Sequence, residues 1–398
     1  VSGAPGGRRW AAAHSTHPDG VGAALEVAEA LAEALDGAAP DLLLVFFTAP
    51  FVAAAEPLAH LLRERLRPRC LAGASAFGVV TSEHEIEGGA ALSALAACLP
   101  GVSVEPFIVV GDGWDEAAAD AAAFARMAPG AAGAELVLLL GDPFSLDAGA
   151  LFAAFARRAP RARLVGGLAS AAPRPGSNAL LLNEWVSSGG GVAVALGGSI
   201  RADVVVSQGC RAIGPPLKVT KAEGNVVAEL DGRPAVERVE EVLQELADAD
   251  RERLGHGIYV GLPVRSDAAG RGDYLVRAVL GGDRGRGLLA VGDRVAPGTV
   301  LRLHVRDAGT AREDLEMLLS PQAFDSRAEA ALLFACNGRG RGLYGAPDGD
   351  IGPLQSALGG VPAAGMFCAG EIGPVGERCF LHGHTASIAI LRAGAAVG

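Results

Sequence analysis

Ala331-Leu-Leu-Phe-Ala-Cys336-Asn337-Gly-Arg339-Gly-Arg341-Gly-Leu-Tyr344-Gly345 is followed by Ala364-Gly-Met-Phe-Cys368-Ala-Gly370-Glu371-Ile-Gly-Pro374 and by Phe380-Leu-His382-Gly-His384-Thr385. Each segment joins a short apolar run to a Gly-rich turn carrying polar groups. A run such as 331–335 suits a buried strand. The glycines after it permit positive φ and a close approach of backbone to a neighbour. Cys336, Asn337, Arg339, Glu371 and His382 are therefore expected at strand ends, where a rigid scaffold displays functional groups.

The same plan occurs twice earlier. Asp41-Leu-Leu-Leu-Val-Phe-Phe47 reads as a buried strand, with a helix to about Leu66 and then Cys70-Leu-Ala-Gly73-Ala-Ser75-Ala-Phe-Gly78. Glu135-Leu-Val-Leu-Leu-Leu140 leads to a helix over about 147–158 and then to Arg163-Leu-Val-Gly166-Gly-Leu-Ala-Ser170. The intervals from strand start to Gly73, Gly166 and Gly365 are closely similar, as in repeated βαβ-like units. Such spacing also occurs in α/β proteins without a true repeat. The glycines are read here as turns.

A chain of 398 residues is long for one core, and two domains are expected. Hydrophobic residues make up 50% and aromatics 5%, so the core is built mainly from Ala, Val and Leu. The net charge of −11 argues against nucleic-acid binding. The most apolar run, 42–55, contains Thr48 and Pro50 and is shorter than the roughly 20 residues of a spanning helix. Arg8 and Arg9 are not followed by the apolar region of a signal peptide. The six cysteines form no CxxC pair, which suggests reduced thiols in the cytoplasm.

Elsewhere, residues 9–15 read as a strand and 21–35 as a helix. Ala90 to Leu99 reads as helical, 102–110 as a strand and 115–127 as a helix. Residues 179–186 and 191–196 read as a hairpin. A domain boundary is expected near 205, dividing the chain into 1–205 and 206–398. In the second part, 218–221 and 225–230 pair around Glu223-Gly224. Pro234 opens a helix to about Leu246, and Thr310 is expected to cap a helix to Leu319. The fold class expected is α/β: two domains with sheets flanked by helices and internally repeated strand–helix–strand units.

Several polar groups are site candidates, each with a structural counter-reading. Arg339 and Arg341 present planar forks that match a carboxylate, yet alternating loop arginines are often only solvated. Glu371 either meets a ligand ammonium or bonds a neighbouring turn. Cys336 and Cys368 lie on apolar strands, where Cys behaves as a small hydrophobe. Cys210 beside Arg211 sits in a setting that favours thiolate. Gly340-x-Gly342-x-x-Gly345 matches the dinucleotide fingerprint as a string, but no helix is expected to open at once, and a glycine loop of another kind is favoured. His382 and His384 have no partner at metal-site spacing, so neither metal nor cofactor is expected. Ser75, Asn183 and Glu184 are weaker candidates.

The terminal segments resemble the C-terminal half of the FIST family, sensor modules of prokaryotic signalling proteins. Further family-like words are Trp10-Ala-Ala-Ala-His-Ser15, Gly73-Ala-Ser75-Ala-Phe-Gly78, Val219-Thr220-Lys-Ala-Glu-Gly224-Asn225 and Glu229-Leu-Asp231-Gly232-Arg-Pro234-Ala235. The resemblance covers nearly the whole chain and departs at His384, where the family leads one to expect an aromatic. It implies intracellular sensing of a small ligand, with amino acids the usual proposal, and no established catalysis. On that basis Cys210, Arg211, Asn337, Arg339, Glu371 and His382 are expected to line a ligand pocket near the domain interface. Arg339 would take a carboxylate, Glu371 an ammonium and Asn337 an amide. A signalling protein would be the partner that reads the bound state. The rival expectation is a thiol amidohydrolase, with Cys336 or Cys210 as nucleophile, His382 as base and Glu371 as its orienter.

Overall fold

The computed structural model describes residues 7–264 and 274–394. Two compact units result: one runs through residue 206 and takes up again at 315–381 and from 385, the other comprises 207–314 and 382–384. Sheets flanked by helices build both, mixed in the first and antiparallel in the second, so the α/β expectation holds.

In the first unit the three apolar runs are leading strands, Leu42–Thr48, Leu136–Gly141 and Ala328–Cys336. Each lies parallel to a partner strand, Cys70–Ala76, Arg163–Leu168 and Ala363–Cys368 respectively. The connections carry the helices Ala55–Leu66, Ala148–Arg158 and Ile351–Leu358. On its other edge each leading strand pairs antiparallel with Leu92–Cys98, Gly191–Gly198 or Thr385–Ala393. The expected strand–helix–strand repeat is therefore present three times. Strands covered on both faces read as continuous apolar runs. The inner residues of all three sheets, Phe46, Leu138 and Phe334 among them, pack into one cluster. Helices cover the outer faces.

A cyclic exchange ties the repeats together. The strand after each partner strand crosses to a different repeat: Gly78–Val80 pairs with Ala363–Cys368, Glu371–Val375 with Arg163–Leu168, and Leu180–Leu182 with Cys70–Ala76.

The repeat glycines are not turns. Gly73, Gly166 and Gly365 lie inside the partner strands opposite Val45, Leu139 and Leu333. A Cβ there would come within 2.3, 1.9 and 1.8 Å of those residues' carbonyl oxygens. Close strand approach, not chain reversal, demands glycine at each.

Two further expectations are corrected. Leu92–Cys98 is a strand between Arg9–Ser15 and Leu42–Thr48, not part of a helix. Its Ala-rich sequence has helical propensity, but all positions except Cys98 are buried, and sheet packing overrides propensity. Leu180–Leu182 pairs with Trp185–Ser187 around Asn183, whose φ is 54°. Gly191–Gly198 instead joins the sheet of the second repeat.

Helix starts follow side-chain capping. Asp19 accepts the Gly22 N–H, and Asp147 those of Gly149 and Ala150. In the second unit, Asp307 rather than Thr310 caps the helix Ala308–Leu319, accepting the Thr310 N–H at 2.6 Å. That unit holds a sheet in the order Cys210–Glu223, Val300–Arg306, Tyr259–Pro263, Tyr274–Asp283, Leu288–Val291, Val226–Leu230, Arg233–Pro234. The expected pairing around Glu223-Gly224 is present, and Ala235–Gln244 packs on the sheet. No described helix is long and apolar enough to cross a membrane.

Candidate functional site

The repeat singles out three equivalent positions. Three residues beyond Val45, Leu139 and Leu333, the leading strands reach Thr48, Asp142 and Cys336. In the first repeat, Thr48 Oγ1 accepts the Ala91 N–H at 2.8 Å and donates to the Ala91 carbonyl at 3.3 Å. In the second, Asp142 accepts from the Phe144 N–H, the Ser145 hydroxyl and the Asn178 amide. Both residues are spent on local structure. The third repeat places a half-buried thiol at this point.

Cys336 stands in register with Cys368 on the parallel partner strand. Two residues on, Gly370 ends the turn and Glu371 opens the crossing strand opposite Gly167. Glu371 is fully buried; its Oε2 accepts the Thr385 N–H at 3.2 Å and the Thr385 hydroxyl at 2.9 Å. Its Oε1 accepts no N–H or O–H among the described residues, while the Cys336 thiol lies near enough to help lower the pKa of the carboxyl. Burial pushes the Glu371 pKa up to about 8, against the opposing pull of Thr385, Arg339 and Cys336. Burial, with Glu371 and Cys336 close by, also raises the Cys368 thiol well above the usual thiol range.

Arg339 is 1% exposed and Asp350 is 0% exposed. The guanidinium donates to both Asp350 oxygens, Nε at 2.8 Å and Nη2 at 2.6 Å. Nη2 also donates to the Tyr344 hydroxyl at 2.6 Å, which in turn donates to Asp350 at 2.8 Å. Burial alone would lower the Arg339 pKa; the adjacent Asp350 carboxylate outweighs it and raises it. Nη1 has no hydrogen-bond partner among the described residues. The loop is seated on the strand Glu85–Glu87. Glu85 accepts the N–H groups of Asp350 and Ile351, and Glu87 that of Arg341. Burial, then repulsion from Asp350, pushes the Glu85 pKa up to about 7. The string Gly340-x-Gly342-x-x-Gly345 forms a four-residue helix, Arg341–Tyr344, stopped by Gly345 with φ 72°. A helix thus does open within the string, contrary to the expectation, but it is a single turn.

Cys336, Arg339 and Glu371 thus come together in the first unit, with Asn337 exposed beside them and its N–H donated to the Cys368 carbonyl at 3.0 Å. Cys210 and Arg211 belong to the second unit. Cys210 is buried there, and Arg211 forms an ion pair with Asp250. His382, His384 and the intervening glycine also fall in that unit. His382 is buried, and the His384 ring packs 4.2 Å from that of Tyr259. Ser75, Asn183 and Glu184 serve structure. The first two accept the backbone N–H groups of Ala179 and Leu71, and Glu184 pairs with Arg63. The described residues contain no group of three or more potential metal ligands. Asp350, Thr385 and Glu85 were not anticipated. Neither burial nor pairing of a loop carboxylate leaves a local signal, and Glu85 lies far from Asp350 in sequence.

A threefold α/β unit in which the third repeat end carries a thiol beside a buried carboxyl defines the class of protein. The chain belongs to the FIST family: the FIST N domain model matches residues 41–233 and the FIST C domain model residues 235–374. The uncharacterized protein Mb0898c of Mycobacterium bovis is 36% identical over 390 residues, covering 94% of this chain and 96% of that protein. The uncharacterized protein Rv0628c of Mycobacterium tuberculosis is 36% identical over 382 residues, covering 94% and 97%. Among solved structures, a cyanuric acid hydrolase from A. caulinodans matches with a TM-score of 0.37 at 10% identity, over 97% of this chain and 99% of that one. A chorismatase matches with a TM-score of 0.32 at 9% identity, over 97% and 98%.

The expected amino-acid sensor is corrected by the geometry of the chain's own residues. The Arg339 fork meant for a ligand carboxylate already holds Asp350 on two edges. Glu371, meant for an ammonium, is fully buried, and burial raises its pKa, which makes it a poorer counter-ion than an exposed carboxylate.

Proposed function

We propose that this protein is a thiol-dependent hydrolase acting on small amides, with its chemistry at the end of the third repeat. Cys336 is the nucleophile and Glu371 the proton acceptor. The single observation that carries the reading is that the half-buried Cys336, in register with Cys368, and the fully buried Glu371, which opens the strand just beyond Cys368, share the end of the third repeat. A base poised near the working pH suits proton transfer. The reaction is two displacements. Glu371 takes the thiol proton as sulfur bonds to the amide carbon; the C–N bond breaks and the amine leaves with the proton from Glu371. Water, losing its proton to Glu371, then cleaves the thioester and releases the acid and the thiol. Arg339, whose Nη1 has no hydrogen-bond partner among the described residues, supplies positive charge near the developing oxyanion. Glu371 here fills the base role that the sequence suggests for His382. A cytoplasmic setting, where thiols are kept reduced, would keep Cys336 available as nucleophile.

The test is hydrolysis of a panel of linear and cyclic amides by wild type, Cys336→Ala and Glu371→Gln, with mass spectrometry for an acyl adduct on Cys336. An adduct at Cys336, and kcat/KM rising with pH through about 8, are expected. Full activity in Cys336→Ala, or no turnover of any amide together with sluggish iodoacetamide labelling of Cys336, overturns the reading.

A further inference from the structure

Cys336 and Cys368 are register partners on adjacent parallel strands. Neighbouring strands lie about 4.7–4.9 Å apart, inside the roughly 4.4–6.8 Å Cα separation that a disulfide spans. Paired residues of a parallel ladder project to the same face of the sheet, and the two thiols are close enough to influence each other electrostatically. The corresponding pair in the first repeat is Thr48 with Ala76, and in the second Asp142 stands at the level of Ala169. Only the third of these repeat ends carries two sulfurs.

Gly167 fixes the inner sulfur. A Cβ at that position would lie 2.2 Å from Cys368 Sγ, so the missing side chain is the space that the thiol occupies. Cys368 is fully buried, whereas Cys336 is half-buried. An oxidant from solvent therefore meets Cys336 first. Burial also keeps Cys368 protonated, which makes it the slower of the two to react.

We infer that Cys336 and Cys368 form a reversible redox pair, in which a hydroperoxide oxidises Cys336 and Cys368 resolves the product as a disulfide between the strands. In the first step the Cys336 thiol gives its proton to Glu371, and its sulfur attacks the outer peroxide oxygen. The O–O bond breaks; the inner oxygen leaves with the proton from Glu371, as an alcohol or as water from hydrogen peroxide, and Cys336 becomes a sulfenic acid. In the second step the Cys368 sulfur attacks the Cys336 sulfur, the S–O bond breaks, and the hydroxyl leaves as water with the Cys368 proton. A dithiol reverses the bond. The consequence for activity rests on the hydrolase reading, since the bond ties up its nucleophile. The bond itself does not rest on that reading.

The experiment treats the full chain with hydrogen peroxide, blocks free thiols with iodoacetamide and maps peptides by mass spectrometry. A 336–368 disulfide that dithiothreitol removes is expected in wild type. In Cys368→Ser, dimedone should instead trap a sulfenic acid on Cys336. Gly167→Ala, which crowds Cys368, should slow disulfide formation at least tenfold relative to sulfenic acid formation. Alkylation of both cysteines after peroxide treatment, or oxidation of Cys336 straight to the sulfinic acid in wild type, overturns the inference. Because the readout is a mapped bond, it stands or falls separately from amide hydrolysis.

Discussion

Replacing Asp350 by Asn tests whether Arg339 is a structural cation. The guanidinium donates to Asp350 from Nε at 2.8 Å and from Nη2 at 2.6 Å, with 1% and 0% of the two side chains exposed. In Asp350→Asn the new side chain could keep one oxygen acceptor for Nη2 and Tyr344, but its amide nitrogen would then face Nε, donor against donor. The charge would also remain buried without its counter-ion. Removing one partner of a buried pair costs about 3–5 kcal/mol, and the lost second acceptor puts Asp350→Asn in the upper part of that range. Replacing both partners, as in Arg339→Met with Asp350→Leu, removes the stranded charge and should cost less than Asp350→Asn alone. Urea unfolding followed by tryptophan fluorescence reads this, since Trp10 and Trp114 are buried in the first unit. A loss below about 1 kcal/mol in Asp350→Asn, or a double variant whose loss equals the sum of the single ones, refutes the reasoning. The Arg339 fork would then again be open to a ligand carboxylate.

Glu371 sets a pH dependence of stability. Its pKa rises from 4.5 to about 8 on folding, so the folded state holds a proton that the unfolded chain has lost. That contribution is fully present below about 4.5 and declines by roughly 1.4 kcal/mol per pH unit until pH passes the folded value. Thermal unfolding of wild type should weaken from pH 5 to 8, and Glu371→Gln should flatten the profile; an unchanged slope counts against the buried acid. Gly365→Ala, whose Cβ would sit 1.8 Å from the Leu333 carbonyl oxygen, should lower stability by more than about 3 kcal/mol or abolish soluble expression. By contrast, Gly352→Ala meets nothing within 4 Å in its helix and should be neutral or stabilising by up to about 1 kcal/mol. Equal behaviour of the two alanine variants in urea unfolding would contradict the close-approach explanation of the repeat glycines.

The sequence by itself determined the leading strands, because runs such as 42–47 and 331–335 are apolar without interruption and suit strands buried on both faces. It also determined several helix starts, since caps such as Asp19 and Asp147 act within three residues. Cys336, Arg339 and Glu371 were legible as strand-end groups from the glycines around them. Tertiary structure decided what depends on distant neighbours. Leu92–Cys98 is a strand because sheet partners lie on both its edges, which composition does not record. Gly73, Gly166 and Gly365 are glycines because a carbonyl from another strand presses on them, and in sequence this looks the same as a turn. The crossing strands choose their partners by the closure of three repeats, not by any local signal. Only folding buried Arg339 against Asp350 and Cys336 against Glu371, and that burial changed an open ligand fork into an ion pair and a surface carboxylate into an acid with a pKa near 8.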